Sequence, residues 1–145
     1  LLSQPTRPNE QGRTVPQWCG PLHFRDTPMT THIDAFFTAW SIADDATRDA
    51  QVKSALSDNI VYADPRTEQP LTTISDVQAY VGQFSKMAPG MPVSVVNTST
   101  TPNFARATVQ FGKGEQSQMG QYIVDLSKDG KIERMVGFVG MGTPA

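Results

Sequence analysis

Apolar positions recur along the chain with two periods, and the change from one to the other divides it. After Thr30-Thr31, which can supply an N-cap hydroxyl, Ile33, Phe36, Phe37 and Trp40 fall at i, i+3, i+4 and i+7, the stripe of an amphipathic helix. A second, shorter helix is predicted from Asp45 to Leu56. It turns Val52, Ala55 and Leu56 inward, sets Asp44 and Asp45 at its positive pole, and is broken by Ser57-Asp58-Asn59. The run Ile60-Val61-Tyr62-Ala63-Asp64 is β-rich and stopped by Pro65, so as a strand it places Ile60, Tyr62 and Asp64 on one face. A third helix, capped by Thr73 or Ser75, carries Ile74, Val77, Val81 and Phe84 as its stripe and ends before Pro89-Gly90.

From Met91 the period becomes two, with strands predicted at about 92–99, 104–112, 117–127 and 131–140. Asn103 and Gly112-Lys113-Gly114 mark the first two turns, and Lys128-Asp129-Gly130 is a hairpin signal between Leu126 and Ile132. The glycine pair reads as a tight turn rather than a phosphate cradle. Helices followed by a run of strands predict an α+β domain. Three helices pack on a strongly curved, mixed but mostly antiparallel sheet, forming a cone with a closed internal pocket. That domain is expected to occupy residues 29–145. Residues 1–28, with Pro5, Pro8, Pro16, Pro21 and Pro28 and no period of either kind, read as an irregular arm whose Val15, Trp18, Leu22 and Phe24 could dock on a neighbour.

Composition narrows the partners. A chain of 145 residues fits one such domain, and 38 % hydrophobic with 18 % charged residues is the balance of a chain that folds. The net charge of −2 comes without a Lys/Arg run, which argues against nucleic acid and an anionic membrane surface, and no apolar stretch is long enough for a membrane span. Cys19 is the only cysteine, so neither an intrachain disulfide nor a thiolate metal cluster is expected, and the cytoplasm is the favoured compartment. No dinucleotide fingerprint or nucleophile–base pair is present, and neither a cofactor nor a metal is expected.

The order helix, helix, strand ending in Asp-Pro, helix, four strands with a Lys-Asp-Gly-Lys-Ile hairpin resembles the nuclear transport factor 2-like (SnoaL-like) superfamily, and within it the ketosteroid isomerases. The resemblance covers about Ile33 to Gly140, and its nearest local pattern is Ala55-Leu56-Ser57-Asp58-Asn59-Ile60-Val61-Tyr62-Ala63-Asp64-Pro65. In the ketosteroid isomerases the Asp of that Asp-Pro is the base that moves a proton beside a carbonyl, which implies this role for Asp64. An apolar cone suits it, since desolvation makes a carboxylate more basic. The family's oxyanion hole pairs a Tyr on the first helix with a protonated Asp on the third of the final strands. The matching positions here are Phe36, or Phe37 if the register moves by one, and Tyr122. A phenylalanine cannot donate, so Tyr62 and Tyr122 are the alternative donor pair. Losing one oxyanion donor typically costs on the order of 100-fold in rate, and the family's substrate is therefore not carried over.

Other activities of the superfamily find less support. Its dehydratases use pocket histidines, whereas only His23 and His32 occur here; its epoxide hydrolases use an Asp-Arg-Asp trio, of which Arg134 with Asp64 would be a fragment, although Arg134 is expected to face solvent or pair with Asp125. Phe36, Phe37, Trp40, Phe84, Met119, Val124, Met135 and Phe138 are the expected pocket lining. Two readings stay open. One is a cofactor-independent isomerase or lyase with Asp64 as base and Tyr122 or Tyr62 polarising an oxygen. The other is a non-catalytic module that binds a small apolar molecule and forms a homodimer through the open sheet face.

Overall fold

The structure, a computed structural model, describes residues 27–142. Three helices, α1 (Thr27–Ala39), α2 (Asp45–Ala55) and α3 (Ile74–Met87), lie against one five-stranded sheet built from β1 (Leu56–Ala63), β2 (Val93–Thr101), β3 (Phe104–Phe111), β4 (Gln118–Leu126) and β5 (Ile132–Val139). The strand order is β1-β5-β4-β3-β2; β1 runs parallel to β5 and every other pair is antiparallel. The α+β architecture with a mixed sheet is therefore the observed one, and the sheet is curved without closing on itself.

The predicted stripes are the core. Ile33, Phe36 and Phe37 have no exposed surface, Trp40 is buried just past the end of α1, and Val77 and Val81 of α3 meet them from the other side. Asp44 caps α2, its carboxylate accepting from the Thr47 N–H at 2.9 Å, and Thr73, rather than Ser75, caps α3 through the Asp76 N–H. The β4–β5 hairpin turns at Gly130 with φ 82°, and Asn103, at φ 71°, turns β2 into β3 with the left-handed backbone that Asn tolerates best after Gly.

Three local expectations are corrected. Helix α1 begins at Thr27, so Thr27 and Pro28 belong to its first turn, where Pro is at home, and Thr30-Thr31 lie inside it rather than capping it. The rest of the proline-rich arm lies outside the described residues. Second, Ser57-Asp58-Asn59 do not separate α2 from the strand: α2 passes directly into β1 at Leu56. The turn-forming residues are absorbed as a bulge, because β1 pairs with β5 at Leu56↔Ile132 and next at Val61↔Arg134. Third, where no helix is expected after the β3 glycine turn, a single 3₁₀ turn, Gly114–Gln116, follows it; it is too short to act as a phosphate site, so the tight-turn reading is unchanged. Arg134 does pair with Asp125 across the hairpin, at 2.6 Å. Among the described residues no helix is long and apolar enough to cross a membrane.

Candidate functional site

Strand β1 ends where its inward face meets the open end of the sheet. Tyr62 is fully buried there and Asp64 half-buried, two residues apart and on the same side. The Asp64 carboxylate accepts four donors. The Tyr62 hydroxyl lies 2.7 Å from Oδ2, the Tyr80 hydroxyl 2.6 Å from Oδ2 and 2.8 Å from Oδ1, and the backbone N–H groups of Arg66 and Thr67 reach Oδ1 at 2.8 and 3.2 Å. The turn that supplies the two N–H groups is locked by Thr67, whose hydroxyl accepts from the Asp64 N–H at 3.1 Å and donates to the Asp64 carbonyl at 3.0 Å. The carboxylate is thus held in place by its own loop on one side and by phenols on the other.

The third phenol enters from the sheet. Tyr122 points inward from β4 with its ring 4.8 Å from that of Phe37, and its hydroxyl interacts with that of Tyr62. Its place is made by Gly137 on β5: a Cβ there would stand 2.4 Å from the Tyr122 Cε2, well inside contact distance. The chain has three tyrosines: Tyr62 and Tyr80 bind this carboxylate directly, and Tyr122 joins them through Tyr62. Burial pushes each phenol above its ordinary value, and the negative field of Asp64 pushes in the same direction. All three therefore stay protonated through the neutral range.

Beside the cluster lies a cavity of about 480 Å³, walled by Trp40, Phe84 and Phe111 on its apolar side and by Asp64, Tyr80 and Tyr122 on its polar side. The pocket is not closed. It opens past Met87, Phe138 and Val139, which are 75 %, 56 % and 63 % exposed. Of the residues expected to line it, Trp40, Phe84, Met119 and Phe138 do so. Phe36, Phe37, Val124 and Met135 have no exposed surface and form the packed core beneath the wall instead. Tyr62 is equally sealed and reaches the site only through its hydrogen bond to Asp64.

Tyr80 escapes the sequence reading because it flanks the α3 stripe rather than belonging to it. Lying three residues after Val77 and four before Phe84, it shares the edge of their face, a signal that could have placed it next to the strand end. Arg66 also borders the cavity, as do the glutamines Gln83, Gln116 and Gln118. Nothing in the apolar period marks them.

No family model and no curated protein sequence matches the chain. Solved structures do. A provisionally assigned isomerase of the SnoaL-like family from Agrobacterium tumefaciens superposes with a TM-score of 0.69 at 23 % identity, over 79 % of this chain and 99 % of that one. A provisional SnoaL-like polyketide cyclase from Jannaschia sp. CCS1 gives 0.64 at 13 % identity over 78 % and 85 % of the two chains. A provisional ketosteroid isomerase from Kribbella flavida gives 0.60 at 13 % identity over 82 % of each. With three helices on a curved mixed sheet and these neighbours, the chain has the cone fold of the SnoaL-like and nuclear transport factor 2-like superfamily.

Proposed function

We propose that the cavity receives a small, mostly apolar carbonyl compound and that the protein is a cofactor-independent isomerase or lyase in which Asp64 is the general base. One observation carries this reading: a fixed carboxylate and three protonated phenols converge at the wall of a cavity of about 480 Å³, within the size range of small-molecule sites. In the first step Asp64 takes a proton from the carbon beside the carbonyl. The C–H electron pair moves into a C=C bond while the carbonyl electrons move onto oxygen as an enolate. Tyr122 lines the cavity and swings its O–H from Tyr62 to donate to that oxygen, and the proton taken by Asp64 returns to another carbon in an isomerisation. Tyr62 and Tyr80 hold the carboxylate in line, and their bonds to it must loosen as it takes up the proton.

The occupancy of the carboxylate favours the second reading. Both Asp64 oxygens already accept bonds from the chain itself, an arrangement that also suits a purely positional anion anchoring the wall of a binding pocket. Exchange of ketone α-protons separates the two. The protein is incubated with 2-tetralone or 1-indanone in D₂O, and loss of the α-C–H signal is followed by proton NMR. Faster loss with the protein than with its Asp64→Asn variant supports the base. Equal rates, together with binding of the ketones, leave the binding module.

Self-association as a homodimer is part of the same proposal. Phe104 and Ile123, 47 % and 45 % exposed, fall on the outer face of the sheet, where a second copy would cover them. Sedimentation of the wild type as a dimer, and of Ile123→Lys as a monomer, is the expected result.

A further inference from the structure

Among the described residues two charged ones border the cavity, Asp64 and Arg66, and they stand in opposite states. The hydrogen-bonding capacity of Asp64 is taken up by Tyr62, Tyr80 and two backbone N–H groups. Arg66 gives its backbone N–H to Asp64, but among the described residues its guanidinium has neither a carboxylate nor a hydrogen-bond acceptor as partner. The side chain is exposed, and Arg66 lines the cavity at its polar end, beside Asp64 and Tyr80. The charge the cavity still offers to a ligand is therefore positive, presented as a fork of N–H groups whose shape matches a carboxylate. The apolar wall of Trp40, Phe84 and Phe111 faces the body of whatever enters.

We infer that the ligand is an amphipathic carboxylic acid, its apolar ring or chain lying in the cavity and its carboxylate held by the Arg66 guanidinium. This rests on the reading that the cavity takes a small apolar molecule and adds the headgroup. Arg66 follows Asp64 by two residues, so the headgroup lies only a few bonds from the carbon that Asp64 would address. Arg66 is on this view a specificity-determining residue.

A matched pair of probes tests the inference: 2-naphthylacetate and its uncharged methyl ester, titrated calorimetrically into the wild type and into Arg66→Gln. The wild type is expected to bind the acid about tenfold more tightly than the ester, with a preference that shrinks as salt is raised. Arg66→Gln should erase the preference by weakening the acid alone, with the thermal midpoint unchanged, as suits an exposed side chain. Equal binding of acid and ester by the wild type overturns the carboxylate assignment while leaving the cavity reading intact. So does a preference that survives in Arg66→Gln. Failure of both probes to bind overturns the cavity reading together with this one.

Discussion

The molecule embeds two charged side chains in apolar surroundings, and they are built alike but placed differently. Arg48 on α2 is 3 % exposed; it donates to the carbonyls of Ile42 and Ala43 at 3.0 and 3.3 Å and pairs with Asp45, while Gly82 on α3 leaves room for it. A Cβ on Gly82 would stand 2.9 Å from its Nη2. Asp64 likewise sits among donors, and Gly137 leaves room for Tyr122 beside it. Arg48 does not line the cavity beside Asp64. It ties α2 back to the α1–α2 connection where that connection passes α3, its guanidinium donating to the Ile42 and Ala43 carbonyls. Asp64 joins Tyr80 of α3 to its own loop, and it borders open space. The buried Arg48 and the half-buried Asp64 thus differ in kind: one completes the fold, and the other is held by the fold and presented to a cavity.

Substitutions can break or sharpen that contrast. The largest effect is expected from Arg48→Ala, which empties a buried site and removes its bonds to the Ile42 and Ala43 carbonyls, and should cost about 3 kcal/mol of stability in urea unfolding. A loss well under 1 kcal/mol would remove the distinction between the two centres. Gly137→Ala forces a methyl into the Tyr122 ring and should cost about 2 kcal/mol, displacing the ring from the cluster. Combining it with Tyr122→Ala removes the clash, and the double-mutant cycle should show a coupling of about 1 kcal/mol or more. Asp64→Asn should cost only about 1 kcal/mol, since the cluster lies at the edge of the core, while abolishing any protein-dependent α-proton exchange.

The smallest effect at neutral pH is electrostatic. Since the native phenols titrate above their ordinary value of 10.0, the native state holds their protons more tightly than the unfolded chain does. Their contribution to stability is fully present below about pH 10 and is lost as pH rises towards the native values. In a near-ultraviolet titration the folded protein should show no phenolate at pH 10, whereas the urea-unfolded chain is half ionised there. A native phenol ionising near pH 10 would mean that one of the three lies outside the cluster.

Much of this was readable in the chain. The i, i+3, i+4, i+7 stripe of Ile33, Phe36, Phe37 and Trp40 and the alternation after Met91 predict the helices and strands, because burial of one face is dictated by local period. Asp64 was legible through its place before Pro65 and through the family resemblance. The boundary at Leu56 was not, because whether Ser57-Asp58-Asn59 end an element or bulge within one depends on the pairing partner, β5, more than 70 residues away.

By itself the sequence determined the class of fold, the core faces and the residues that can carry chemistry, since these follow from side-chain period and type. Only the tertiary structure decided which aromatic residues line space and which fill it: Trp40 and Phe84 face the cavity, whereas Phe36 and Phe37, on the same helical stripe as Trp40, are sealed. It alone brought Tyr80 from α3, Tyr62 from β1 and Tyr122 from β4 to one carboxylate. The physical reason is that burial is a property of a face, readable at a spacing of a few residues, whereas a cavity and a hydrogen-bond cluster are set by distances between faces, which depend on how the curved sheet and the helices close on one another.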